Sequence, residues 1–232
     1  MTEVSIRKSD LGVRTFSAVV MAAAAGTALW LGGWVWLAFV AVVALGVLYE
    51  WTRLFLAFTH AFGTRLVWAF GGSIYVGVAA TMLIVLRGDG ADAALLPVLL
   101  VIATDIGAYF AGRTIGGPKI APSISPSKTW AGLAGGMLAS GLAATIPAFL
   151  FVDGATAGKL LVAQLFAFGL VAAVFAQAGD FFESWMKRRA GVKDSGNLIP
   201  GHGGLLDRLD GLVAVLFACG IVFAFSRAME VS

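Results

Sequence analysis

Five carboxylates stand where carboxylates are costly. Asp105 lies inside an apolar run, Thr104-Asp105-Ile106-Gly107-Ala108-Tyr109. Asp180 and Glu183 lie toward the end of another, and Asp207 and Asp210 open a third. An ionisable group in such a run costs roughly 3 kcal/mol or more unless it meets a cavity or a partner. Spacing narrows the choice. Asp180, Glu183, Ser184 and Lys187 fall on one stripe of an α-helix, and Asp207 and Asp210, three apart, share a face. Two helix ends meeting at one membrane surface would join these faces into an oxygen-rich pocket. Such a pocket suits Mg²⁺, which binds through carboxylates, substrate phosphates and water. The thiolates or clustered histidines that zinc prefers are missing from the sequence. A purely structural account competes: the same carboxylates could pair with Arg188, Arg189 or Arg208.

Between the two acidic helices runs Lys193-Asp194-Ser195-Gly196-Asn197-Leu198-Ile199-Pro200-Gly201-His202-Gly203-Gly204. Its glycines allow close backbone approach to a ligand and can turn N–H groups toward an anion. The helix that follows would present its positive amino-terminal end to a phosphate, and His202 could bind phosphate or hold the loop. An earlier segment has a related composition, Arg113-Thr114-Ile115-Gly116-Gly117-Pro118-Lys119 and then Ser125-Pro126-Ser127-Lys128-Thr129-Trp130. Its lysines, glycines and hydroxyls suit phosphate, although basic loops are also what membrane topology demands.

These groups must be carried by elements, and the composition says which. Of the 232 residues 59% are hydrophobic and only 12% charged, and the mean hydropathy is +0.92. Soluble domains carry about twice that charge. The apolar residues come in blocks of about twenty, the length of a helix that crosses ~30 Å of hydrocarbon. The fold class is therefore an all-α polytopic membrane protein with about seven spans. They are predicted near Thr15–Leu31, Trp34–Trp51, Leu66–Leu86, Ala93–Ala111, Trp130–Phe151, Leu160–Glu183 and Leu206–Phe225. The sixth is expected to continue as a helix into Lys187–Arg189, and the first to be a retained helix. No linker divides the chain, so 1–232 reads as one integral membrane domain. Residues 1–92 supply amino-terminal helices, and 93–232 a catalytic region with loops 112–129 and 185–206.

Charge gives a test that uses no motif. With the amino terminus in the cytoplasm, thirteen of the 16 Lys and Arg fall inside, Arg7 and Lys8 among them; only Arg87, Lys159 and Arg227 fall outside. This is the positive-inside asymmetry. It sets both polar loops on the cytoplasmic face, so the polar site is expected there. No basic tract interleaved with aromatics is present, which argues against nucleic acid as a partner. The single cysteine, Cys219, leaves no internal pair for a disulfide. The Gly- and Ala-rich spans suit close helix packing and would allow a homodimer.

The polar residues also carry a resemblance. Ser184-x-x-Lys187-Arg188, then Lys193-Asp194-x-Gly196-x-x-Ile199-Pro200-x-His202-Gly203-Gly204-x-x-Asp207-Arg208-x-Asp210 resembles the signature of bacterial phosphatidate cytidylyltransferases, the CDP-diacylglycerol synthases. Asp180 in Gly179-Asp180-Phe181-Phe182-Glu183-Ser184 is similar to the family form. So are Asp105-x-Gly107-Ala108-Tyr109 and Ser125-Pro126-x-Lys128-Thr129-Trp130. The likeness spans roughly residues 100–212. Ser127 departs from it, standing where lysine is often seen, and so does Ala131, where a larger polar residue is common.

The resemblance implies transfer of CMP from CTP to phosphatidate in the bacterial inner membrane, with Mg²⁺ as cofactor and a second cation left open. It implies Asp180, Lys187, Asp207 and Asp210 as catalytic residues. Asp180 and Asp207 would hold the metal, with Asp210 as a further ligand. Lys187, Arg188, Lys193 and Arg208 would contact phosphates. Ser184, Asp194, His202, Gly203 and Gly204 would complete the cradle, while Asp105 would order Lys128 or the cytidine. Two other readings compete. A CTP-dependent polyprenol or phytol kinase would need a base for a hydroxyl substrate. A transporter would spread its charges across the bilayer and often carry paired repeats.

Overall fold

The computed structural model describes the backbone of residues 2–151 and 158–231, and the side chains of 11–149 and 158–230. Arg7 and Lys8 therefore have side chains outside the described residues. Seven helices appear in order: α1 Thr2–Leu31, α2 Gly33–Phe58, α3 Phe62–Asp89, α4 Ala91–Thr114, α5 Trp130–Phe151, α6 Gly158–Ala190 and α7 Leu206–Val231. All seven are long and apolar enough to cross a membrane. The shortest has 22 residues, about 33 Å at 1.5 Å per residue. The predicted spans lie within these helices, most of which extend further at one or both ends. The sixth runs on past Glu183 to Ala190, as expected.

One element departs from the all-helical expectation. Within loop 112–129 the chain forms a two-stranded antiparallel ribbon, β1 Lys119–Ala121 and β2 Ser125–Thr129, with Lys119 opposite Thr129. Trp130 N–H donates to Pro118 O at 3.1 Å and closes its base. Pro126 costs no ladder bond on an edge strand of so small a sheet.

Helix packing follows the distribution of small residues. Between α4 and α5, Gly107, Gly112, Gly132, Gly135 and Gly136 face one another, and backbone meets backbone. A Cβ on Gly107 would come within 2.5 Å of Ala139 Cβ, and one on Gly136 within 2.9 Å of Thr104 O. Without a hydrophobic drive between helices in lipid, such close approach supplies the association. A second, larger core joins α2, α3, α6 and α7 through Val47, Trp51, Val76, Met186 and Val213. Above it Trp68 stacks on Phe182 and Trp185, with centroids 6.3 and 5.9 Å apart. Large apolar side chains face outward, among them Phe16, Phe70, Phe149 and Phe225, as lipid contact requires. Trp30 and Trp34 flank the α1–α2 turn, both more than 80% exposed, where interfacial aromatics belong.

Candidate active site

The stripe anticipated on α6 forms. Lys187 Nζ lies 2.5 Å from Glu183 Oε2, one turn back, and 2.7 Å from Asp207 Oδ1 on α7. Among the described residues, Glu183 and Asp207 thus pair with Lys187 and not with Arg188, Arg189 or Arg208. Helices α6 and α7 can meet here because Gly179 has no side chain: a Cβ would strike the carbonyl oxygen of Asp210 and approach Ala214 Cβ to 2.6 Å. This contact brings carboxylate oxygens of Asp180, Glu183 and Asp210 within 4.8 Å of one another. Glu183 Oε1 is buried and has no hydrogen-bond partner among the described residues. Three converging carboxylates, one with an orphaned oxygen, form a donor set fit for a hard divalent cation.

Asp207 stands apart from that trio. It accepts from Ser195 N at 2.9 Å, from Gly204 N at 2.8 Å and from Lys187. The Gly204 bond folds the end of the loop back onto the first turn of α7. With three donors on its two oxygens, Asp207 holds the 191–205 loop and Lys187 in register. Asp207, expected beside Asp180 as a metal ligand, lies outside the carboxylate trio, and Glu183 lies within it.

The amino end of α7 is also engaged. Glu50, on α2 and fully buried, accepts from Leu205 N at 3.0 Å, Leu206 N at 2.8 Å and Ser195 Oγ at 2.9 Å. The N–H groups expected to face a phosphate face a carboxylate of the chain itself. Two loop glycines serve the same contact. A Cβ on Gly204 would come 2.6 Å from Glu50 Oε2, and one on Gly196 would collide with the same carboxyl group. Helix α1 adds a further hold. Ser17 Oγ lies 2.9 Å from Pro200 O and 2.9 Å from His202 Nδ1. Carbonyls of Val13 and Pro200, both at 2.9 Å, compete for the hydroxyl proton. Ser17 thereby ties both the Pro200 carbonyl and the His202 ring to α1.

Beside the carboxylate trio opens a pocket of about 330 Å³ between α4, the ribbon, α5 and α6. Thr129 caps α5 by accepting Gly132 N–H at 3.0 Å, and Arg188 Nε donates to Ile124 O at 3.3 Å, tying the ribbon to α6. The ribbon thereby delivers Lys128 into an ion pair with Asp180, with Nζ 4.8 Å from the Phe181 ring centroid. Asp105 lines this pocket, but Lys128 is paired with Asp180, not with it. Ser184 Oγ donates to Asp180 Oδ1 at 3.3 Å. Asp180 therefore belongs to both the pocket and the trio.

Other predicted residues lie further out. Arg188, Lys193, Asp194 and Arg208 are exposed; Arg208 donates to His202 O at 2.7 Å, and Gly203 lies against Asp194 and Asp207. Three residues of the site were missed in the sequence: Ser17, Glu50 and Gln177. Glu50 carried a usable signal, an ionisable residue in an apolar span. Gln177 lies one turn before Asp180 on the same stripe. Ser17 carried none.

Fold and site together define a polytopic membrane protein whose helix ends enclose a carboxylate–lysine site beside a polar pocket. Residues 57–226 match the Cytidylyltransferase family, and the chain belongs to it. It is 35% identical to the phosphatidate cytidylyltransferase of Brucella suis biovar 1 (strain 1330), an alignment covering 93% of this chain and 95% of the relative. With that of Rickettsia bellii (strain RML369-C) the identity is 36%, over 89% and 88%. With that of Staphylococcus haemolyticus (strain JCSC1435) it is 42%, over 61% and 53%. Ser17 and Glu50 precede the family match, although both hold a loop within it.

Proposed function

We propose that this protein transfers the cytidylyl group of CTP to phosphatidate, giving CDP-diacylglycerol and pyrophosphate, in a bacterial inner membrane. One observation carries the reading at the site. Lys128, Asp180, Glu183, Lys187 and Asp210, drawn from the ribbon, α6 and α7, converge where two polyanions would have to be held together. A phosphate oxygen of phosphatidate attacks the α-phosphorus of CTP. The new P–O bond forms as the bond to the bridging oxygen breaks, and pyrophosphate leaves with the electron pair. The nucleophile is anionic already, so the work is positioning and charge stabilisation.

Asp180, Glu183 and Asp210 would hold Mg²⁺, which when bound supplies a Lewis acid for phosphate oxygens. Lys128 and Lys187 retain donors for phosphate beyond their carboxylate partners. Asp207 positions Lys187 and the loop. The charge asymmetry of the sequence supports a cytoplasmic amino terminus and a site on that face. The chain acts as one membrane unit, since Ser17 and Glu50 bind the helices of residues 1–92 to the loop of the catalytic region.

The test uses purified protein in detergent with phosphatidate, Mg²⁺ and CTP labelled at either the α- or the γ-phosphorus. Lipid product carrying the α-label alone is expected. A γ-labelled lipid would replace this reading with a kinase, and no labelled lipid would remove it.

A further inference from the structure

A groove of about 410 Å³ opens where α3 meets α7. Ile74, Gly77, Val78 and Met82 of α3 and Gly220 and Ala224 of α7 line it. Gly220 serves helix packing, since a Cβ there would meet Val78 Cγ1 at 2.6 Å. Gly77 does not. A Cβ on it would have nothing within 4 Å, so the side chain it lacks is groove space and not a helix contact. Apolar character alone selects no occupant, because bilayer hydrocarbon is as apolar as the groove. Position along the two helices does select one.

Asp210, Phe217 and Ala224 follow one another at heptad spacing on α7 and so share one face of it. Asp210 belongs to the carboxylate trio and Ala224 to the groove, with Phe217 between them. On α3, Tyr75 packs its ring on Phe217, centroids 5.1 Å apart, and Val78 and Met82 follow Tyr75 at i+3 and i+7 into the groove. One seam between the helices therefore leads from the carboxylates, past the Tyr75–Phe217 pair, into the groove. At 1.5 Å per residue, Phe217 lies about 10 Å along α7 from Asp210 and Ala224 about 21 Å. One leaflet of hydrocarbon is about 15 Å deep, so a long acyl chain whose phosphate is held at the carboxylates spans this interval.

We infer that this groove receives an acyl chain of the phosphatidate whose head group is held at the carboxylate–lysine site. The Tyr75–Phe217 pair is the lip over which the chain passes, and Gly77 is the opening in the wall that admits it. A chain of half the usual length ends near the lip and gains nothing from the groove. The assignment rests on the proposed cytidylyl transfer and adds to it the surface that reads the lipid's chain. No groove residue touches the reacting phosphates, so the groove acts on which phosphatidate binds and not on the chemical step.

The experiment uses the full chain in mixed micelles. A phosphatidate with a photoreactive diazirine near the end of one palmitoyl chain is irradiated with the protein, and the labelled peptides are mapped. Label is expected within 73–85 or 220–224. Unlabelled dipalmitoyl phosphatidate should remove most of it, whereas dipalmitoyl phosphatidylcholine should not. Kinetics supply an independent reading. Gly77→Leu fills the groove and is expected to raise KM for dipalmitoyl phosphatidate about fivefold, with KM for dioctanoyl phosphatidate and for CTP unchanged. Ala224→Leu, on the α7 wall, replaces it if Gly77→Leu does not purify as a folded species. Label spread over other spans, equal competition by the two lipids, or the same KM change (or none) for both chain lengths overturns the assignment, the groove's occupant then being bulk lipid or detergent only. A wild type that forms no cytidine-bearing lipid overturns the proposed function, and this assignment with it.

Discussion

Glu50 gives the sharpest test of how the site is held, because it lies outside the reacting groups. Its carboxyl group is fully buried and accepts three bonds, from Ser195 Oγ, Leu205 N and Leu206 N. Glu50→Ala removes every acceptor and leaves three donors facing a cavity. At ~1.5–3 kcal/mol for each bond to a carboxylate, the gross loss is about 5–9 kcal/mol. Relaxation of the loop and entry of water would reduce this to about 4 kcal/mol. Glu50→Gln is a finer perturbation. Its single oxygen can take the Oε2 position and serve Leu206 and Ser195, but its amide then faces Leu205 N–H. One bond is lost and one donor pair opposed, at about 2 kcal/mol. At ~2–4 °C per kcal/mol for a chain of this size, the melting temperature should fall by about 12 °C for Glu50→Ala and about 6 °C for Glu50→Gln. Thermal unfolding of the detergent-solubilised protein, with limited proteolysis of the 191–205 loop, measures both. A melting temperature for Glu50→Ala within 2 °C of wild type, with the loop still protected, would refute the reasoning.

Three further outcomes are expected. Lys187→Met leaves Glu183 and Asp207 buried without their cation and should cost about 3–5 kcal/mol, read as early thermal unfolding together with loss of turnover. Asp210→Asn should raise the Mg²⁺ concentration for half-maximal activity at least tenfold, whereas Asp207→Asn should lower kcat with that midpoint unmoved; a Mg²⁺ titration of both variants separates ligand from positioning residue. Gly179→Ala drives a methyl group into the Asp210 carbonyl, so α6 and α7 must part. Its Mg²⁺ midpoint should rise as in Asp210→Asn, although no carboxylate has been changed.

Much of this architecture could be read from apolar blocks, because a span must be long, apolar and helical. The stripe of Asp180, Glu183, Ser184 and Lys187 was equally readable, since helical spacing fixes which side chains share a face. What spacing cannot give is the rotation of one helix against another. Gly179 sets α7 so that Asp210, not Asp207, meets Asp180 and Glu183, and Lys187 then takes Asp207. The ribbon was hidden because three- and five-residue strands depend on outside ties, here Arg188 to Ile124. Loop glycines were read as room for a ligand. Two of them, Gly196 and Gly204, make room for Glu50, a residue about 150 positions earlier that no local pattern connects to them.

That separation has a consequence for how the protein is made. Glu50 precedes its three donors by 145, 155 and 156 residues. At ~5–20 residues per second of synthesis, its carboxyl group waits roughly 7–30 s for them. During that interval the carboxyl group lacks the donors it has in the folded chain and must be met by water or a proton. The loop before α7, the last of the seven helices to emerge, supplies Ser195 Oγ and Leu205 N, and the helix itself Leu206 N. The contact that fixes the second helix to the 191–205 loop is therefore completed only when the seventh has been delivered beside it.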